Sequence, residues 1–391
     1  MSAKKSSARA STARADAPTF GVEEEFFLVD LRNGRSPGRV PKTFVKACQR
    51  RLGEAVAFEL QQAQVELVSP IFEDAAHALD TITTLRHQIA EIAQAMHLGI
   101  IASGSHPIAR WQQQAQTDNP RYRRFADEYQ IVGLRGFFCG LHVHVGVHDE
   151  VDRVQLMNRM LPWLPLFLAL STASPFWSLR RTGMFSYRQS AYTEWPRTGT
   201  PDFFADEADY RRFITILKRA GSIRDGGELW WTIRPSPKHP TLELRIADSC
   251  TRAADTIALA TLFRCLVSAH LRLPELGAQR SSATRRLIEE NRWRAERYGI
   301  EAEFIDETRE RTVPVAELVE QALELVEPDA RRLDPHGSLH ALRTILARGT
   351  SAHAQLQAYD DALAAGASHR DALRAVVDWL LEATVPGQQL A

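Results

Sequence analysis

Strand signals crowd into the first 250 residues and helix signals fill almost everything after them. Short stretches of alternating or continuous apolar residues mark strands at 20–30, 61–68, 100–103, 136–147, 229–234 and 241–247. After Asp248 the period changes, and helices are predicted at 252–273, 281–298, 315–325, 339–347, 353–364 and 370–383. Regular strand–helix–strand alternation, which a doubly wound sheet or a TIM barrel requires, is absent. Such a distribution predicts an α+β fold, a mostly antiparallel sheet with helices packed on its other face. Among the earlier helices, 74–98 carries Leu79, Ile82, Leu85, Ile89, Ile92 and Met96 on one face and is closed by Gly99. Asn119 caps a helix to residue 129 with Pro120 in its first turn, and another spans 205–220. Asp149 is read as the cap of a long helix containing the apolar run 160–173. Pro162 and Pro165 interrupt that run, and it is shorter than the roughly 20 apolar residues of a membrane span, so it predicts a buried helix and no membrane.

The chain is expected to divide into a basic, Ala/Ser-rich tail at 1–18 and one catalytic domain at 19–385, ending in a short tail at 386–391. The domain is sheet-rich over 19–250 and helical over 251–385. The tail faintly resembles a transit peptide, but an ordinary loose terminus is the preferred reading. Lysine plus arginine and aspartate plus glutamate number 48 each, which argues against a nucleic-acid coat. Cys48, Cys139, Cys250 and Cys265 form no C-x-x-C pair, so neither a zinc knuckle nor a disulfide framework is expected. With no signal-peptide pattern, they suggest the reducing cytoplasm. Walker A, dinucleotide-binding, zincin and nucleophile-elbow motifs are all missing.

Four strands share one division of labour. Side chains alternate across a strand, so Glu23 and Glu25 oppose Val22, Phe26 and Leu28, while Gln62, Gln64 and Glu66 oppose Ala63, Val65 and Leu67. His142 and His144 oppose Leu141, Val143 and Val145, and Glu243 and Arg245 oppose Leu242, Leu244 and Ile246. A half-solvated sheet would explain any one of these strands. Glutamate is disfavoured in strands, however, and local violations of propensity concentrate at functional sites. If the four carboxylates converge, each pair at ~6 Å and an effective dielectric of ~20 repels by roughly 3 kcal/mol. Several such pairs threaten a net stability of about 5–15 kcal/mol. Either some of the acids are protonated or cations neutralise them, and two divalent ions would supply the four charges needed. Oxygen ligands with one or two imidazoles favour Mg²⁺ or Mn²⁺ over zinc, which suggests phosphoryl chemistry without a P-loop. Glu24 falls on the apolar side, where the sequence offers it no chemistry.

These residues carry a resemblance. Gly-Val-Glu-Glu-Glu-Phe at 21–26, Gln-Val-Glu-Leu at 64–67, Gly-Leu-His-Val-His at 140–144, Ser-Pro-Phe-Trp at 174–177, Ser-Tyr-Arg at 186–188, Trp-Thr-Ile-Arg-Pro at 231–235 and Leu-Glu-Leu-Arg at 242–245 occur in that order. Together they resemble the carboxylate–amine ligases of the glutamate–cysteine ligase type 2 family, within the glutamine synthetase-like superfamily. The resemblance implies an open, metal-lined funnel and a reaction in which ATP phosphorylates a carboxylate, usually the γ-carboxylate of glutamate. An amine then displaces phosphate to give an amide and ADP. It implies ATP and Mg²⁺ (or Mn²⁺) as cofactors and small-molecule substrates. Metal ligation is implied for Glu23, Glu25, Glu66, His142 and Glu243, and contact with the transferred phosphoryl group for Arg245; Arg188 is the second candidate catalytic residue, expected to contact the substrate carboxylate or phosphate. Nucleotide or substrate contact is expected of Arg234, Tyr187 and Arg181. His144 is expected to play a supporting part, and Cys139 to be a small buried residue. Relatives often have Asp where this chain has Thr232, which leaves the amine open; members of the family need not use cysteine well. Two alternatives compete: a metal-dependent amidohydrolase built on His142-x-His144, and a metal- or nucleotide-binding relative without turnover. The long amphipathic C-terminal helices are compatible with a homodimer.

Overall fold

The computed structural model describes residues 17–334 and 336–390. Its centre is a seven-stranded antiparallel sheet built around β1 (Phe20–Asp30). On one side β1 pairs with β3 (Gln64–Val68), which pairs with β2 (Val56–Phe58). β4 (Leu98–Ile101) pairs with the C-terminal half of β1, and β5 (Leu141–Gly146) with its N-terminal half. β6 (Ile233–Pro235) and β7 (Thr241–Leu244) complete the order β6–β7–β5–β1–β3–β2. The expected α+β architecture is therefore the observed one.

The even-numbered face of β1 carries Val22, Phe26 and Leu28, which are buried with Leu141, Val143, Val145, Leu242 and Leu244 in the main core. Helices α1 (Ala75–Gln94) and α3 (Ala253–Arg272) pack here, with the short α2 (Tyr187–Tyr192) elsewhere in the chain between them. α3 is long and apolar enough to cross a membrane, yet 89% of the relevant stretch is buried inside the protein, as befits a central core helix. Glu24 lies on this face, and the structure explains it. Arg86 of α1 donates to both carboxylate oxygens at 2.9 and 2.5 Å, and the Thr256 hydroxyl adds a third bond.

The odd-numbered face is divided. Glu23 and Glu25 open into a cavity, whereas Phe27 and Val29 are covered by Leu373, Val377, Leu380 and Leu381 of the last helix. That helix, α5 (His369–Thr384), follows α4 (Ser351–Ala364). One strand thus lines a funnel with its first half and a second core with its other half.

Several boundaries differ from expectation for identifiable reasons. α1 is capped by Asp74, whose carboxylate accepts the His77 N–H at 2.7 Å, but it ends at Gln94. Gly99 is no cap; it sits in β4 opposite Val29, where a Cβ would come within 2.6 Å of Leu381. Its smallness lets α5 approach the sheet. Asp152, not Asp149, caps the helix Arg153–Met160 by accepting from the Val154 and Gln155 N–H groups. The apolar run then breaks into a tight turn at Leu161–Trp163 and a helix at Leu164–Ser171, with Pro162 and Pro165 in their first turns. Residues 303–314, left without an element by the sequence, form a hairpin, Glu303–Asp306 with Arg311–Pro314. Most of the expected N-terminal tail lies outside the described residues, but the Pro18 carbonyl accepts from buried Arg264 at 2.6 Å. The expected C-terminal tail is anchored: Gln388 is buried and its amide bonds both the N–H and the carbonyl of Ile100.

Candidate active site

Register turns four separate alternations into one site. β1 and β5 align Glu23 with His142, β1 and β3 align Glu25 with Glu66, and β5 and β7 align His144 with Glu243. Arg234 on β6 stands opposite Glu243. The result is a belt of ionisable side chains across five strands, lining a cavity of about 690 Å³. Among the described residues, three donor groups form within it, each with ligand atoms no more than 4.8 Å apart: Glu23–Glu66–His142, Glu23–His144–Glu243 and Glu25–Glu59–Glu66.

The belt is electrically lopsided. Toward β6, Glu243 is gripped by Arg234 at 2.8 and 3.1 Å and by Arg245. Burial would raise its carboxyl, but the two guanidinium groups hold it well below the usual range. Burial likewise opposes ionisation of Glu23, and the bond to His142 together with the nearby His144 ring outweighs it, keeping that carboxyl low as well. His142 Nδ1 is 3.0 Å from Glu23, while burial and the nearby Arg245 charge lower the ring to about 4. Toward β3 the balance reverses. Burial and the Glu59 charge push Glu25 up to about 7, and burial with Glu59, Glu23 and Glu25 raises Glu66 well above its ordinary value. This end of the belt resists holding its full negative charge unaided.

The donor chemistry fits divalent cations. His144 Nδ1 is engaged by the Thr241 hydroxyl at 2.9 Å, which leaves Nε2 buried without a hydrogen-bond partner. That nitrogen points between carboxylate oxygens of Glu23, at 3.5 Å, and Glu243, at 4.0 Å. A second-ring-nitrogen bond that fixes tautomer and orientation is the usual arrangement of a ligating histidine. His144, expected only to support its neighbours, therefore belongs to a donor group.

The arginines divide by what they already bond. Arg234 donates to Glu243 and to the Gly227 and Leu229 carbonyls, so it holds Glu243 in place. Arg188 enters from α2, with its N–H bonded to the Ser174 hydroxyl and its guanidinium on the Ile246 and Arg245 carbonyls. Gly140 makes room for it, since a Cβ there would lie 2.2 Å from the guanidinium nitrogen. The Nε–H groups of Arg188 and Arg245 are buried without partners. Both therefore retain donors for an anion.

Two expected site residues are not brought here. Arg181 is exposed on the short strand Arg180–Arg181 and pairs with Asp360 at 3.2 Å. Tyr187 packs its ring against Trp177, with centroids 5.4 Å apart, and does not line the cavity. Thr232 also lies outside the lining; its carbonyl accepts the Arg245 N–H at 2.8 Å. Glu59 was missed because it follows β2 in a turn, where no periodicity assigns it a face. All four cysteines are buried and free, as expected of Cys139 in particular.

The model of Glutamate-cysteine ligase family 2 matches residues 19–378. The chain belongs to that family. It is therefore a ligase that forms an amide bond. A relative from Ectopseudomonas mendocina named as a glutamate–cysteine ligase 2 is 45% identical over 95% of this chain and 99% of its own length. One of the same name from Rhodospirillum rubrum is 41% identical over 95% of this chain and 97% of its own. Among solved structures, the Francisella tularensis glutamate–cysteine ligase in complex with AMP superposes with a TM-score of 0.69 at 11% identity, covering 96% of this chain and 90% of that one. A bifunctional glutathione synthetase from Pasteurella multocida gives the same score at 13% identity, covering 95% of this chain and 53% of that one. These two likenesses establish the fold of the ligase.

Proposed function

We propose that this ligase uses ATP to activate a carboxylate, the γ-carboxylate of glutamate, and joins it to an amine. A carboxylate oxygen attacks the terminal phosphorus, the bond to the ADP oxygen breaks, and an acyl phosphate forms. The amine nitrogen then adds to the acyl carbon, phosphate leaves, and the nitrogen loses a proton. Divalent cations, when bound by Glu23, Glu25, Glu66, His142, His144 and Glu243 with Glu59, would neutralise the belt and screen phosphate charge. Arg188 and Arg245 supply fixed donors to the oxygens on which charge develops, and Arg234 keeps Glu243 oriented. The observation that carries the proposal is the convergence of acids from β1, β3 and β7 on one cavity whose walls present arginines with uncommitted donors.

The amidohydrolase alternative draws nothing from the fold, since His142 and His144 lie on an open antiparallel sheet rather than in a barrel. The test is ADP release by purified protein given ATP, Mg²⁺ and glutamate with a panel of amines. Release that requires both an acid and an amine is expected. Amide hydrolysis with zinc and no nucleotide would overturn the proposal, and tight ATP binding with no turnover on any pair would leave the non-catalytic relative.

A further inference from the structure

A second cavity, of about 420 Å³, shares no lining residue with the belt. Its walls come from four separate segments: Asn33 and Arg35 in the turn after β1, Arg110 and Gln113 after the buried 101–109 stretch, Leu179 in the short hairpin of residues 176–181, and Arg370 with Arg374 on α5. Ile108 and Leu179 supply its apolar part. Among the described residues, four arginines face it and no carboxylate lines it.

Elsewhere exposed arginines of this chain find acids: Arg32 has Asp30, Arg181 has Asp360 and Arg343 has Glu320. No ion pair forms at Arg35, Arg110, Arg370 or Arg374 among the described residues. The carboxylate sensed by Arg374 is Asp378, one turn along α5, and it accepts the Leu390 N–H instead. Asp371, beside Arg370, accepts the Ser368 hydroxyl at 2.6 Å in the helix cap. In a chain whose charges balance at 48 against 48, this is a local surplus of positive charge in a concave site.

The placement also runs against helix electrostatics. Arg370 lies in the first turn of α5, where the backbone already presents positive partial charge. Arg374 is one turn further on the same face, and like charges at that spacing destabilise a helix. Two cationic choices at one place, with neither Asp371 nor Asp378 drawn into an ion pair with them, indicate a site shaped for something not part of the chain. Guanidinium forks match phosphate oxygens in pairs, and a volume of this size suits a small ligand rather than a macromolecule.

We infer that this cavity is a second binding site, separate from the active site, for a small phosphate-bearing polyanion gripped by Arg35, Arg110, Arg370 and Arg374. Phosphate carried as a free polyphosphate or on a nucleotide presents the same oxygens to it.

Calorimetric titration of the full chain, freed of divalent cations by chelator, decides the matter with inorganic pyrophosphate as probe. Saturable one-site binding is expected, weakened at least 10-fold in R370Q/R374Q and unchanged in R245A. No saturable binding at millimolar pyrophosphate, or equal affinity in R370Q/R374Q, would overturn the inference, as would loss of binding in R245A, which would move the probe to the active site. Circular dichroism of R370Q/R374Q checks that α5 is intact, and a single R35Q substitution should repeat the weakening. An AMP arm in the R245A background separates the sources: competition with pyrophosphate would show that a nucleotide can deliver the phosphate, and its absence that a free polyphosphate is the ligand. Citrate binding as tightly as pyrophosphate would replace phosphate recognition with general anion capture and so refute the assignment.

Discussion

Glu24 and its two neighbours on β1 are chemically identical side chains placed in opposite circumstances. Glu24 faces the main core, where Arg86 and Thr256 meet its carboxylate and leave no charge over. Glu23 and Glu25 face the cavity, where acids outnumber their partners toward β3 and Glu25 stands directly opposite Glu66. One residue step decides which regime applies, because strand side chains alternate. The contrast separates two uses of buried charge. A pair closed within the chain specifies packing, while a set left incomplete by the chain creates affinity for a ligand.

That contrast can be broken by substitution. Glu24→Ala strands the Arg86 guanidinium in the core, and breaking a buried pair by removing one partner costs about 3–5 kcal/mol. The denaturant midpoint should fall accordingly, while cation binding by the fraction still folded remains normal. A loss of stability below ~1 kcal/mol would show that the pair is not structural. Glu23→Gln should do the reverse. Removing a ligand shared by two donor groups should lower kcat/KM at least ~100-fold, while the metal-free protein loses far less stability than Glu24→Ala does, because a glutamine can still hydrogen-bond His142 where the Glu23 carboxylate did. Steady-state assays beside thermal melts in chelator would measure both, and a large stability loss without an activity loss would exchange the roles of the two faces.

The sequence showed the belt clearly where periodicity could act. Glu23, Glu66, His142 and Glu243 lie on strands whose apolar partners mark the opposite face, so their convergence required only the register. Glu59 lies in the turn between β2 and β3, where neither period holds, and geometry alone brings it beside Glu25 and Glu66. Motif proximity misled for Arg181 and Tyr187. They adjoin Arg188 in sequence, but the short hairpin pairing Phe176 with Arg181 carries the arginine to the surface, and Tyr187 turns to Trp177. Gly99 was misjudged for a related reason. A glycine after a helical run suggests a cap, whereas the approach of Leu381 to β4 is a contact between residues far apart in sequence. The Glu24–Arg86 pair belongs to the same class, since two elements must be in place before either partner has a role.

The smallest effect tests the crowded end of the belt. Glu66 feels burial first and then the charges of Glu59, Glu23 and Glu25, against which Arg245 is the one opposing influence of note. Part of the repulsion is already relieved, because burial and these neighbours favour protonation of Glu66 and Glu25. Glu66→Gln should therefore stabilise the chelator-treated protein by only about 1 kcal/mol, well under the ~3 kcal/mol of a fully ionised pair. Addition of Mg²⁺ or Mn²⁺ should reverse the order. Wild type gains stability as RT ln(1 + [L]/Kd), about 2.7 kcal/mol at a hundredfold excess over Kd, and the variant with one ligand fewer gains less. Melting both proteins with and without the ion measures the crossing directly. Parallel shifts in the two proteins would mean that Glu66 holds no cation, and the acids toward β3 would then need another explanation than the one that serves those toward β7.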